Sequence, residues 1–138
     1  MQKPTQEQII EFYHDNKVIG FLGVEVVPTS DGEARLELTT ESRQTNLYSM
    51  THGGVLTTMA DTAMGAKCLA LNKRVVTISL TIEFMHSIAL GTRIFTDAKV
   101  LHDGRKTMVC ECEILDEAGT LYAKAGATFF VLGLIFED

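Results

Sequence analysis

One stretch constrains the fold more than any other. Val55 to Leu71, VLTTMADTAMGAKCLAL, is apolar around most of its circumference and long enough for about five helical turns. A helix of this kind has to be covered on nearly every side, so the rest of the chain must supply a surface that curls around it. The second half of the sequence has the pattern for such a surface. Val76, Ile78, Leu80, Ile82 and Phe84 alternate with Thr77, Ser79, Thr81 and Glu83, the period of two that marks a strand. Arg93 to His102 and Lys106 to Leu115 read as two more strands, joined through Asp103-Gly104, a tight-hairpin pair. After a turn at Asp116-Glu117-Ala118-Gly119, a last strand runs from Leu121 to about Leu132. It places Leu121, Ala123, Ala125, Ala127, Phe129 and Val131 on one face, where the alanines let the helix sit close.

Ahead of the central helix, Thr5 to Asn16 predicts a short amphipathic helix with Thr5 as N-cap and Ile9, Ile10, Phe12 and Tyr13 on its apolar side. Gly20 and Gly23 are expected to break that pattern. Val24, Val26 and Pro28, the turn Thr29-Ser30-Asp31-Gly32, and the alternating Ala34, Leu36 and Leu38 read as a hairpin. Residues 41 to 54 are polar and irregular. Asn72-Lys73-Arg74 is expected to end the central helix, with its basic residues at the negative end of the dipole. The economical assembly is α+β: an antiparallel sheet of five or six strands around one long buried helix. We expect one domain over 1–138, with 1–19 as an N-terminal helical extension. Long strands leave a sheet edge, which a second copy commonly hides, so a homodimer is expected.

Composition narrows the function classes. The chain has 138 residues, 46% of them apolar, enough for one packed core. Its formal net charge of −6 disfavours nucleic acid as a partner, because phosphate backbones need a basic footprint. No apolar run reaches the length of a membrane span, and Met1 to Glu7 lack a signal-peptide core, so a cytoplasmic protein is expected, without a membrane partner. Cys68, Cys110 and Cys112 are too few and odd in number for a disulfide framework. Cys110 and Cys112, two apart in a strand, share a face and pack; no histidine stands at metal-site spacing from them, and neither metal nor cofactor is expected.

Asp61 is the odd residue of the helix, the only acidic side chain between Val55 and Leu71. A carboxylate in an apolar wall is costly unless hydrogen-bonded, paired or protonated, and burial moves it toward the range of a general base. Thr57 and Thr58 are helix neighbours that could donate to it, and Gly65 leaves room beside it. His52-Gly53-Gly54 opens the helix. Uncovered N–H groups at Gly53 and Gly54 could polarise a carbonyl and hold the oxyanion formed when water attacks it. Those amides and Asp61 lie about two turns apart, roughly 10 Å along one helix, so one carbonyl cannot touch both within a single subunit. Either the site is shared across a dimer interface or one of the two is not catalytic.

Asn46-Leu47-Tyr48-Ser49-Met50-Thr51-His52-Gly53-Gly54, followed by Asp61, resembles the hotdog-fold thioesterases of the PaaI (phenylacetyl-CoA thioesterase) type. Their pattern is Asn, a Gly three residues later, His-Gly-Gly, and an Asp seven residues after the last Gly; the likeness covers roughly residues 20 to 133. It implies an acyl-CoA thioesterase acting as a homodimer, often a dimer of dimers, with Gly53 of one subunit facing Asp61 of the other. In that family scheme Gly53 polarises the thioester carbonyl and Asp61 acts as base on water, or less often as nucleophile. Asn46 orients the water or the carbonyl, His52 hydrogen-bonds near the thioester or braces the loop, and Thr77 helps position the water. Two positions depart from the family: Ser49 stands where Gly is usual, and Ser87 where Pro usually follows the Phe84-Met85 strand end.

Substrates of that family are coenzyme A esters, whose phosphates call for cations at the pocket mouth; Lys73, Arg74, Arg93, Arg105 and Lys106 are the candidates. Val55, Met59 and Met64, with Gly54 and the Tyr48 loop, are expected to line the acyl pocket. His86 and His102 are expected at the surface or in the core, without a role. The competing readings are a hotdog enoyl-CoA hydratase or dehydratase, which would use His52 for proton transfer, and a non-catalytic acyl-CoA-binding protein.

Overall fold

The computed structural model describes residues 2–137. In chain order it contains α1 (Gln6–His14), α2 (Lys17–Leu22), β1 (Glu25–Pro28), β2 (Ala34–Thr39), a 3-10 turn at Ser42–Gln44, α3 (Gly53–Ala70), β3 (Lys73–Phe84), β4 (Arg93–Asp103), β5 (Thr107–Leu115) and β6 (Leu121–Leu134). The six strands form one antiparallel sheet in the order β1-β2-β4-β5-β6-β3, so β3 is a free edge. The sheet wraps α3, as the all-round apolar helix requires. Met59, Ala60, Met64 and Cys68 of α3 are fully buried, packed in one core with Ala123, Ala125, Ala127 and Phe129 of β6.

Local rules explain most boundaries. Thr5 caps α1 in a reciprocal capping box with Gln8. Gly20 does not break the chain as expected: Asn16 caps a second helix, accepting from the Ile19 amide at 3.1 Å, and this helix runs through Gly20. Its end comes at Gly23, whose φ of 72° is a left-handed cap that glycine adopts without strain.

Helix α3 ends at the expected Asn72-Lys73-Arg74 stretch. Asn72, not a basic pair, turns the chain, with φ 68°, and its carboxamide bonds the Phe136 N–H and carbonyl at 2.8 Å each. Lys73 and Arg74 already belong to β3.

The simple alternation read for β3 is interrupted. A register shift between Thr77 and Ser79 leaves Ile78 as an extra residue. Val75 and Thr77 before it, and Leu80, Ile82 and Phe84 after it, stand opposite the inward-facing Val131, Phe129, Ala127, Ala125 and Ala123. Val76 and Ile78 are therefore exposed, and Thr77 is brought to the helix side. Cys110 and Cys112 share a buried face, and the Cys110 thiol lies 3.7 Å from that of Cys68. No helix among the described residues is long and apolar enough to cross a membrane.

Candidate active site

Asp61 lies in the middle of α3, half-buried, on the wall of a cavity of about 340 Å³. The Thr77 hydroxyl donates to Asp61 Oδ1 at 2.7 Å. This bond exists because the bulge at Ile78 turns Thr77 inward; with unbroken alternation that side chain would face away. Thr57 and Thr58 do not serve the carboxylate, since their hydroxyls donate back to the Gly53 and Gly54 carbonyls at 2.8 and 2.9 Å. Gly65 does leave room beside Asp61, and Tyr13 of α1 covers it: a methyl group there would meet the Tyr13 hydroxyl at 3.7 Å. Tyr13 is a wall residue that sequence reasoning placed only on an apolar helix face. Burial pushes its phenol above the usual range, with Cys68 and the Asp61 carboxylate adding to the shift, so the hydroxyl stays protonated.

At its other end, α3 opens with His52 as N-cap. Its Nδ1 accepts from the Gly54 amide at 2.8 Å, and its carbonyl accepts from Val55 and Leu56. Of the donors in this first turn, only the Gly53 N–H has no acceptor among the described residues. The expected pair of amides is thus one amide, and Gly54 has a capping part instead. The same bond leaves the neutral His52 ring with its proton on Nε2.

Gly53 lines a second cavity of about 340 Å³, together with Asn46, Met50, Leu56, Phe84, Met85, His86 and Ser87. A side chain on Gly53 would begin 3.2 Å from the Phe84 ring, a tight contact that the half-exposed ring relieves by shifting a few tenths of an ångström. Asn46 organises the loop: its Oδ1 accepts from the Tyr48 and Met50 amides at 2.8 and 3.2 Å. Its NH₂ group makes no hydrogen bond to the described residues, which leaves it free for a ligand. Ser49 has φ 60°, a conformation that favours glycine, which gives the physical meaning of that departure from the family pattern.

The structure therefore joins Asp61 with Thr77, and Gly53 with Asn46 and His52, but does not join the two groups. Several expected binding residues are elsewhere. Met59 and Met64 are completely enclosed and Val55 nearly so, filling the core rather than lining either cavity; Leu56 and Phe84 line the second cavity in their place. The reason is the sheet's wrap, which covers the helix on more than one side: Val55 and Met59 lie on one face and Met64 on the opposite one, and all three are buried. Tyr48 projects outward, 76% exposed.

Among the cations, Lys73 is held by Asp103 and the Gly104 carbonyl, and Arg93 by Glu37 at 2.8 Å and Glu25 at 3.0 Å. Both are structural ion pairs. Arg105 and Lys106 sit exposed at the β4–β5 hairpin tip. Arg74 alone of these lines the Asp61 cavity. His86, expected to be idle, lines the Gly53 cavity.

Comparison with known proteins decides the family. The model of the thioesterase superfamily matches residues 48–123, which include His52, Gly53, Asp61 and Thr77. The chain belongs to the thioesterase superfamily. Within it, the chain is 28% identical over 105 residues to the acyl-coenzyme A thioesterase PaaI of Escherichia coli, covering 76% of this chain and 75% of that one. The solved structure of that protein superposes with a TM-score of 0.81 over 90% of both chains, confirming the hotdog fold. A putative esterase of Saccharolobus solfataricus is 31% identical over 135 residues, 96% of this chain and 95% of its own. A hypothetical thioesterase of Streptococcus pneumoniae, solved with coenzyme A, is 26% identical with a TM-score of 0.80, covering 91% of this chain and 98% of that one. That protein is also known as two variants in which an aspartate, and a threonine sixteen positions later, are replaced by alanine. Asp61 and Thr77 of this superfamily member have the same spacing.

Proposed function

We propose that the protein hydrolyses acyl-CoA thioesters at sites formed between two copies of the chain, Asp61 coming from one and Gly53 from the other. The observation that carries this reading is the division of the chemistry. One cavity holds a hydrogen-bonded carboxylate, another holds a free helix-start amide, and each alone is half of a hydrolytic site. The twelve-residue edge strand β3 suggests how the halves meet. Thr77 touches Asp61, and Phe84 packs beside Gly53. Antiparallel pairing of two β3 strands centred between Leu80 and Thr81 sets Thr77 of one copy opposite Phe84 of the other. The exposed Val76, Ile78 and Phe130 offer a further surface for pairing dimers.

In this site the thioester oxygen sits at the Gly53 N–H of the second copy, where the helix dipole adds to the pull. Thr77 fixes one carboxylate oxygen of Asp61, leaving the other to take a proton from water as the water oxygen attacks the carbonyl carbon. The tetrahedral oxyanion is held by the same amide. Its collapse breaks the C–S bond, and the proton on Asp61 passes to the departing thiolate, giving a carboxylic acid and free coenzyme A. The Asn46 NH₂ orients the carbonyl or the water. Arg74, the cation lining the Asp61 cavity, adds positive charge that draws the anionic coenzyme ester toward the site.

His52 favours hydrolysis over the hydratase reading. With Nδ1 accepting from Gly54, its neutral ring has no lone pair at Nε2 to take a proton from an acyl chain. The test is release of free thiol across an acyl-CoA panel, parent beside Asp61→Ala. Release in the parent and its loss in the variant is the expected result; hydration of an enoyl-CoA without thiol release, or saturable binding without turnover, would overturn it.

A further inference from the structure

Tyr13 lines two cavities at once. It borders the Asp61 cavity and also an open cleft of about 380 Å³ formed by α1, α2 and β1, lined by Ile10, Ile19, Val24 and Val26 with His14 and Glu25. The side chain is the partition between them. We propose that Tyr13 is the end wall of the acyl chamber and sets the longest acyl group the enzyme accepts. The proposal rests on the hydrolase reading above and names its substrate class: short-chain or single-ring acyl thioesters rather than long fatty ones.

The helix supplies the floor of the chamber. Asp61, Gly65 and Leu69 are spaced by four and fall on one face of α3, and all three line the Asp61 cavity. A group whose carbonyl carbon lies at Asp61 extends over Gly65, the one position of that stripe without a side chain, and there meets the Tyr13 hydroxyl. Leu69, Val75, Val76, Phe129 and Leu132 supply apolar wall for an acyl group, and the polar Asn16, Thr62 and Arg74 complete the lining. The Gly53 cavity, with exposed His86 and Ser87 on its rim, instead offers hydrogen-bonding partners to the amides of the pantetheine arm.

The wall is also fixed in place. Beyond its capping box, α1 is tied to the β1–β2 hairpin by the Gln6 carboxamide, which donates to the Thr29 and Glu33 carbonyls, and Ile9 is buried with Ala34 and Ala66. A residue on such an anchored helix can define a length, which a side chain on a loose segment cannot.

The test is kcat/KM for a series of acyl-CoAs from acetyl to palmitoyl, and phenylacetyl, with parent, Tyr13→Phe, Tyr13→Leu and Tyr13→Ala. Tyr13→Ala joins the two cavities and should raise the ratio of long-chain to short-chain kcat/KM by about ten-fold or more. Tyr13→Leu should fall between, and Tyr13→Phe, which keeps the ring, should keep the parent profile. Circular dichroism checks folding, and if Tyr13→Ala unfolds, Tyr13→Leu decides. An unchanged profile in the smaller variants, or a KM rise equal for every acyl length, would overturn the proposal, the latter by placing Tyr13 on the coenzyme arm. A parent that releases no thiol from any member of the series refutes the hydrolase reading itself, a result separate from an unshifted profile.

Discussion

The two halves of the site are built from different materials. The Asp61 half uses side chains carried by the middle of α3 and the middle of β3, joined by one 2.7 Å hydrogen bond. The Gly53 half uses the backbone: a helix end, a loop pinned by Asn46, and an amide left free because His52 occupies the next one. A reacting carboxylate has to be held by rigid elements, whereas an oxyanion donor comes from any helix that starts without covering its own N–H groups.

That contrast predicts a graded series. Asp61→Ala removes the base and should lower kcat by about 10²–10⁴, read by thiol release at saturating substrate, with the thermal midpoint little changed. Gly53→Pro attacks the other half cleanly. Proline is tolerated at the first helical position, and His52, with φ −65° and ψ 132°, already has the extended backbone that precedes it comfortably. The substitution deletes one N–H, and kcat should fall about 10²–10³. If Gly53→Pro folds and turns over like the parent, that amide does not hold the oxyanion. Thr77→Val breaks the bond to Asp61 and should cost about ten-fold in kcat, recovered by Thr77→Ser. Arg74→Gln should be mildest, raising KM a few-fold with kcat retained, and the difference should shrink as salt rises.

The sequence made one half far more legible than the other. Asp61 stood out because a lone acid interrupts an apolar helix, and the wrapped sheet followed from the same helix. Thr77 came to attention only through the family resemblance, because its inward position depends on the bulge at Ile78, and period-two alternation has no signal for one extra residue. Val55, Met59 and Met64 were misplaced for a related reason: apolar character marks a residue for burial but does not say whether it borders a cavity or fills the core. Which amide stays free was equally hidden, since it turns on the choice of Nδ1 of His52 as acceptor. Tyr13 read as an ordinary apolar helix residue, because its proximity to Gly65 is set by tertiary docking of α1.

Subunit mixing tests the shared site most directly. Asp61→Ala and Gly53→Pro, each inactive alone, are unfolded together, refolded as an equal mixture and assayed for thiol release. Every mixed dimer carries one intact site and one doubly broken one, so activity should return to about a quarter of the parent's. A mixture that stays as inactive as its components would contradict a site built from two chains.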